Sequence, residues 1–264
     1  MRSSYDLLRR TFMTIWGYFV FILGSLLWGV VVIPLVIVLS RFWPGIRDWF
    51  NDFTQGALGL YVRLLPFLRL DVDRRRGLSD GSRVLVVNHQ SWLDSIVMIS
   101  LEHRLSGPAR GYMFRVPVIR SVLKLGRFYL SDIGEPALLD RMRQGVQEAL
   151  DQRGALLFFP EGTRTKDGAI GRFHLGAFRM AVEFKLPIQP VVIDGLHRVL
   201  PSGSLIVQTK GRYPVRVRYL DSIEPRYPEG SQRRVVRELA EQVRRSMAEE
   251  LVRLRTQQKW TERG

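Results

Sequence analysis

The feature that most constrains this chain is a long apolar run near its start. No charged residue occurs between Thr11 and Ser40. A helix needs roughly 20 apolar residues to cross a bilayer, whereas the apolar core of a secretory signal has about 7–15. Because the first alanine is Ala57, no Ala-x-Ala cleavage site follows the run. We therefore predict a retained membrane anchor with a basic lead that includes Arg9 and Arg10.

The sequence leaves two topologies open for this anchor. Arginines flank the run on both sides, so the positive-inside rule gives no orientation. The run also contains residues that weaken or bend helices, namely Gly24, Ser25, Gly29 and Pro34. It could cross the membrane once, or fold back as two shorter helices within one leaflet. Aromatic and charged residues then alternate from Arg41 to Phe53, which is typical of an interfacial segment or of a helix packed on a domain. We assign residues 1–64 to the anchor.

The remainder, residues 65–264, has the pattern of an α/β domain. Short β-rich runs alternate with amphipathic ones, which predicts a mixed, largely parallel sheet flanked by helices. The predicted strands cover residues 68–72, 83–87, 126–130, 155–159, 188–193 and 215–219. The predicted helices cover residues 91–101, 138–152, 176–184 and 232–259, and the last of these is long, basic and amphipathic.

Composition restricts the chemistry and the partners. The chain has no cysteine, which excludes disulfides, thiol nucleophiles and Cys-ligated metals, and its scattered histidines predict no metal site. A net charge of +15 suits anionic surfaces. Together with the anchor, it favours membrane lipids over nucleic acid. The arginines of the last helix could hold lipid headgroups, phosphates or an acidic protein, or form an ordinary solvated face.

The first candidate for catalysis lies where an apolar strand runs into a polar turn and a helix. His89 and Asp94 are five residues apart, which would turn them about 140° from each other on a straight helix. They can meet if His89 lies on the turn and Asp94 lies in the helix, with Ser91 as a possible N-cap. Asp94 would then hold one ring nitrogen and leave the other as a general base. A capping histidine and an exposed aspartate are the alternative.

A second polar loop follows the predicted strand at 155–159. It contains Glu161, Gly162, Thr163 and Arg164. Glycine lets backbone N–H groups approach an anion, threonine can donate a hydrogen bond, and arginine can hold two phosphate oxygens. The loop lacks the Gly-Lys-Ser/Thr sequence of a nucleotide-binding P-loop. It predicts a phosphate cradle, although such a tract can also be a simple turn.

Together these motifs resemble the phospholipid and glycerol acyltransferase family, which includes the 1-acylglycerol-3-phosphate acyltransferases. The first motif is similar to the family's His-x4-Asp motif and reads Asn88-His89-Gln90-Ser91-Trp92-Leu93-Asp94. The second is similar to its Phe-Pro-Glu-Gly-Thr-Arg-Ser motif and reads Phe159-Pro160-Glu161-Gly162-Thr163-Arg164-Thr165. A further match to Val-Pro-Ile-x-Pro-Val begins at Leu186. The resemblance covers roughly residues 60–220 and implies a glycerolphosphate-acyltransferase-like fold.

The resemblance implies transfer of a fatty acyl group from an acyl-CoA or acyl-carrier-protein thioester to a lysophospholipid hydroxyl. No cofactor and no covalent acyl-enzyme are implied. The default acceptor is 1-acylglycerol-3-phosphate, which would give phosphatidic acid. His89 would take the hydroxyl proton and Asp94 would orient the imidazole, while the acceptor headgroup would be bound by Glu161, Gly162, Thr163 and Arg164. Since acyl thioesters are cytoplasmic, the domain is expected on the cytoplasmic face of the inner membrane, which favours the hairpin anchor.

One departure from the family pattern leaves the acceptor open. Where the family's second motif has an arginine that helps to bind phosphate, this chain has Asp132. A carboxylate there would repel a phosphate group unless a nearby arginine such as Arg127 compensates. The acceptor could therefore be another lysolipid, such as a lyso-aminolipid. A protein of a different class, a catalytically silent basic membrane adaptor, is the remaining alternative.

Overall fold

A computed structural model of the chain describes residues 2–43, 45–74, 81–131, 135–151, 154–225 and 232–261. Asp132, on which the acceptor question turned, lies outside these residues. The chain forms two compact units that interleave along the sequence. The anchor unit comprises Met1–Leu68, Ser95–Leu156 and Leu205–Arg212, and the site unit comprises Arg69–Asp94, Leu157–Ser204 and Tyr213–Gly264.

In the described part of the chain, six strands agree with the predicted ones to within two residues at each end, and a seventh, Leu105–Ala109, was not predicted. They are β1 Leu68–Asp73, β2 Arg83–Val87, β3 Leu105–Ala109, β4 Phe128–Leu130, β5 Ala155–Phe158, β6 Ile188–Asp194 and β7 Tyr213–Tyr219. The site unit has the order β1-β7-β6-β2-β5, in which β2 is parallel to β6 and β6 is antiparallel to β7. The anchor unit has the order β5-β3-β4, with both pairs parallel. The predicted mixed, largely parallel sheet is confirmed.

Helices cover the strands of both units. They are α1 Arg2–Leu27, α2 Ile33–Leu39, α3 Ile46–Leu64, α4 Leu93–Leu101, α5 Pro117–Leu125, α6 Glu135–Asp151, α7 Gly176–Glu183, α8 Leu196–Val199 and α9 Gln232–Thr261. In the site unit α7 packs on β2 and α9 packs on β6, while in the anchor unit α6 packs on β3 and β4. Every residue of β6 is buried, as expected for a central strand covered by helices.

The apolar run forms one continuous helix rather than two shorter ones. Helix α1 continues through a π-helical turn at Trp28–Val32 directly into α2. Pro34 has no N–H and its ring crowds the carbonyl four residues earlier, and the wider turn before it relieves that crowding without ending the helix. By length and composition, the helix Ser4–Leu39 could cross a membrane.

The chain reverses after this helix, and α3 returns antiparallel to it. The indole N–H of Trp16 donates to the Leu64 carbonyl at 3.0 Å, and the indole N–H of Trp28 donates to Thr54 Oγ1 at 3.2 Å. Near the turn, α2, α3 and α5 share a buried apolar cluster whose central side chain is Phe50. The aromatic segment after the apolar run therefore contributes to the core of the anchor unit.

Replacing Phe50 with alanine should destabilise the protein by about 3–5 kcal/mol, because it removes a fully buried ring and leaves a cavity. Phe42, which is 81% exposed, is the matched control, and Phe42→Ala should leave stability unchanged. Unfolding of both variants in detergent would be followed by circular dichroism. Equal effects of the two substitutions would contradict the packing described for α2, α3 and α5.

Candidate active site

The site begins where β2 ends. Asn88 follows the strand with its side chain fully buried. Its Nδ2 donates to the carbonyl oxygen of Ile193 in β6 at 2.9 Å, and its Oδ1 accepts from the N–H of the same residue at 2.8 Å. The amide thus adds one more pair to the β2–β6 ladder. This bond fixes the direction in which the chain leaves the sheet and enters the turn that carries His89.

The structure brings His89 and Asp94 together. His89 lies on the turn and Asp94 lies in the first turn of α4, and Nδ1 of the imidazole is 2.8 Å from Oδ2 of the carboxylate. Because the carboxylate oxygen accepts, Nδ1 carries the proton, and in the neutral ring Nε2 then presents its lone pair. Among the described residues Nε2 has no hydrogen-bond partner, and the histidine side chain is 18% exposed. The ring also stacks on Phe159, with centroids 4.3 Å apart.

Backbone groups orient the carboxylate. Asp94 is fully buried, and its Oδ2 also accepts the N–H groups of Gln90 at 2.5 Å and Ser91 at 2.7 Å. Ser91, predicted as a cap, receives the N–H of Leu93 at 3.4 Å and donates its hydroxyl to the Leu200 carbonyl at 2.8 Å. Oδ2 therefore accepts three hydrogen bonds, one from the imidazole and two from backbone N–H groups. The two backbone groups fix the orientation of the carboxylate toward the imidazole.

Glu161 connects the second polar loop to the histidine. Its Oε1 accepts the backbone N–H of His89 at 3.0 Å, and its Oε2 accepts the backbone N–H of Gly171 at 2.9 Å. Burial raises the pKa of Glu161, although these backbone hydrogen bonds from Gly171 and His89 oppose the shift. Both carboxylate oxygens of Glu161 are thus hydrogen-bonded to backbone N–H groups of the protein. Thr165 completes the connection, since its N–H donates to the His89 carbonyl at 2.8 Å.

The other three predicted headgroup residues differ in exposure. Gly162 has a φ of +66°, and a side chain there would meet the ring of His174 at 3.0 Å, so the turn requires glycine. Thr163 is exposed and Arg164 is half-buried. Within the described parts of the chain, neither of these two side chains has a hydrogen bond or an ion pair. They are available for a ligand.

A second layer of contacts holds the loop from behind. The carbonyl of Gly168 accepts from Gln90 Nε2 at 3.4 Å and from Arg255 Nη2 at 2.8 Å. Arg255, on α9, also donates through Nε to Asp194 at 3.1 Å. Gln90 contacts Nδ1 of His197 at 3.1 Å, and burial lowers the pKa of that histidine. The predicted basic helix thus contributes one of its arginines to the support of the site.

Sequence reasoning missed several residues of the site. Asn88 and Gln90 were treated only as members of a motif, and Arg255 was not singled out from its helix. The signal for Asn88 and Gln90 was present, because polar side chains directly after a buried strand are placed inside the fold. The pairing of Arg255 with Asp194 spans most of the site unit and has no local signal.

Comparisons with known proteins relate the chain to a solved structure, a family model and curated relatives. The chain has the fold of the crystal structure of a 1-acyl-sn-glycerophosphate acyltransferase from Thermotoga maritima, with a TM-score of 0.76 and 18% identity over 95% of this chain and 98% of that one. Residues 69–194 match the family model named Acyltransferase. This match confirms, over these residues, the resemblance to the acyltransferase family inferred from the motifs.

The curated relatives carry related names. A chloroplastic 1-acyl-sn-glycerol-3-phosphate acyltransferase of Brassica napus is 30% identical over 65% of this chain and 49% of its own length. The enzyme of that name from Saccharomyces cerevisiae is 29% identical over 72% of this chain and 62% of its own. A human lysophospholipid acyltransferase is 31% identical over 65% and 36%. The chain spans about half the length of the chloroplastic enzymes of Brassica napus and Arabidopsis thaliana that it matches.

The raised pKa of Glu161 predicts a pH-dependent stability difference between wild type and Glu161→Gln. Below the ordinary pKa of glutamate, Glu161 is protonated in both the native and the unfolded state. Its contribution to the free energy of unfolding is then fully present. As pH rises through the raised native pKa, the wild type loses that contribution. The unfolding temperature of Glu161→Gln minus that of wild type should therefore increase as pH rises from about 4 to about 7.

This difference would be measured by thermal unfolding of both proteins in one detergent across that pH range. Comparing differences removes the effect of the other titrating groups, which the two proteins share. A difference that stays flat, or that moves in the opposite direction, would contradict the burial of this carboxylate.

Proposed function

We propose that the protein transfers a fatty acyl group from a thioester donor to the hydroxyl of a lysophospholipid, with 1-acylglycerol-3-phosphate as the default acceptor. The observation that carries the proposal is the His89–Asp94 pair, with Nδ1 held by the buried carboxylate and Nε2 left without a protein partner among the described residues. The names of the relatives, all acyltransferases of this substrate class, support it.

In the proposed reaction Nε2 of His89 removes the proton from the acceptor hydroxyl. The oxygen then attacks the thioester carbonyl, and a new C–O ester bond forms. The tetrahedral intermediate collapses with cleavage of the C–S bond, and the leaving thiolate takes the proton back from Nε2. Asp94 holds the imidazole in the required tautomer and stabilises its protonated form, as in other His–Asp pairs. The acyl group passes directly from donor to acceptor.

The four residues predicted to bind the acceptor headgroup have three roles in this proposal. Thr163 and Arg164 contact the acceptor phosphate, because their side chains are accessible and suited to anions. Gly162 supplies the left-handed turn that presents them. Glu161 is a positioning residue, since both its oxygens are used by backbone N–H groups. The donor is an acyl-CoA or an acyl-carrier protein.

The anchor is proposed to embed in one leaflet of the inner membrane, with the site on the cytoplasmic face. Side chains of α1 and α2 alternate between a packed face and an exposed face at three- and four-residue steps along the whole helix. The packed face meets protein at two points along the helix, at Gly17 beside Phe67 and at Gly29 beside Val118. Lipid can therefore reach only the opposite face, whose large side chains are apolar.

Activity of purified protein tests the proposed function. His89→Ala and Asp94→Asn should each lower acyl transfer by about 10²–10⁴-fold, the contribution of a positioned general base. The matched controls are His103→Ala and Asp140→Asn, whose side chains are 73% and 77% exposed and which should retain activity. Both donors would be tested with lysophosphatidic acid, a lyso-aminolipid and monoacylglycerol.

The outcomes separate the alternatives. Product from lysophosphatidic acid that His89→Ala abolishes is the expected result. Product only from another lysolipid would retain the mechanism and replace the acceptor. Wild-type protein that turns over none of the acceptors, with either donor, would contradict the proposal and favour the membrane adaptor.

A further inference from the structure

A surface segment of the anchor unit lies along the first helix. The N–H of Val207 donates to Thr14 Oγ1 at 3.1 Å, and Nζ of Lys210 lies 2.5 Å from the carboxylate of Asp6. Lys210, which follows Val207 in the segment, thus contacts Asp6, which precedes Thr14 in α1. The segment 205–212 therefore runs antiparallel to α1, with its charged end beside the charged start of that helix.

The other end of the segment carries two exposed apolar side chains. Leu205 is 71% exposed and Ile206 is 54% exposed, whereas Val207 is only 2% exposed. Because the segment runs antiparallel to α1, these two residues precede the contact at Thr14 and lie beside the part of the helix that has no charge. A pair of large aliphatic side chains turned outward is unfavourable in water.

The exposed face of α1 at the same level of the helix has the same character. Phe12, Ile15 and Phe19 are 62%, 62% and 55% exposed. Just above them, Arg9 and Lys210 are exposed cations at the edge of the apolar surface. Apolar side chains with basic residues at their border are typical of surfaces that enter the hydrocarbon region beneath anionic headgroups.

We propose that Leu205 and Ile206 form a second lipid-inserting element, which enters the same leaflet as α1. The partner is an anionic phospholipid bilayer, and this inference rests on the proposed membrane attachment of the anchor. Exposed apolar side chains on α1 at the same level and the cationic border favour lipid over a protein partner. The Lys210–Asp6 ion pair marks the level of the headgroups, and the loop extends below it.

Site-directed spin labelling tests this inference directly, because the chain contains no cysteine and each variant carries one label. Leu205→Cys is the test position. Phe12→Cys on α1 reports the main anchor, and Val252→Cys on α9, also exposed at 65%, is the matched control among charged neighbours. The labelled proteins would be reconstituted in vesicles of phosphatidylglycerol and phosphatidylethanolamine, after acyl transfer in detergent has shown that each is folded.

Collision with oxygen, which concentrates in lipid, is compared with collision with a water-soluble nickel chelate. The labels at positions 205 and 12 should be accessible to oxygen and protected from nickel, and the label at 252 should show the reverse. If position 205 behaves like 252 while position 12 is inserted, the inference is wrong and the proposed attachment stands. A label at 205 shielded from both reagents indicates a protein partner and also overturns it. Exposure of all three labels to nickel would overturn both this inference and the proposed membrane attachment. The acyltransferase activity is tested separately, by acyl transfer in detergent.

Discussion

The hydrogen bond between His89 Nδ1 and Asp94 Oδ2 is the interaction on which the rest of the site depends. It requires a residue at the end of β2 to meet a residue in the first turn of α4, across a reversal of the chain. At its start, this turn is held by the hydrogen bonds of Asn88 to Ile193 in β6. Glu161 holds it further by accepting the backbone N–H of His89. The polar residues around the motif therefore determine the direction of one imidazole.

A fully buried carboxylate is costly unless donors compensate for lost water. Asp94 receives two backbone N–H groups and the imidazole N–H, and it lies at the positive end of α4. Glu161 is treated in the same way by two backbone N–H groups. The loop that contains Glu161 is in turn held by Arg255 through Gly168. Buried polar contacts thus connect the last helix of the chain to the turn that carries His89.

The sequence predicted what depends on local pattern. The bounds of β2 and the mixed sheet follow from short apolar runs and from the polar turns after them. The contact between His89 and Asp94 was left open by the spacing and was implied by the family resemblance. Strand β3 was missed because Leu105–Ala109 contains Gly107 and Pro108, which are usual in turns. The sequence left open whether the apolar run is one helix or two, and the structure has one continuous helix because a π-helical turn accommodates Pro34. Contacts between distant parts of the chain, such as Arg255 with Asp194, have no periodicity to reveal them.

The central claim is that Asp94 fixes one tautomer of His89 and leaves Nε2 as the base. Solid-state NMR of protein with ¹⁵N-labelled histidine, reconstituted in lipid, measures this directly, with His89→Gln used to assign the signals. At a pH where the ring is neutral, Nδ1 of His89 should have the shift of a protonated nitrogen and Nε2 that of a bare one, and Asp94→Asn should abolish the preference. A wild-type spectrum with the proton on Nε2, or with both tautomers equally populated, would contradict the account.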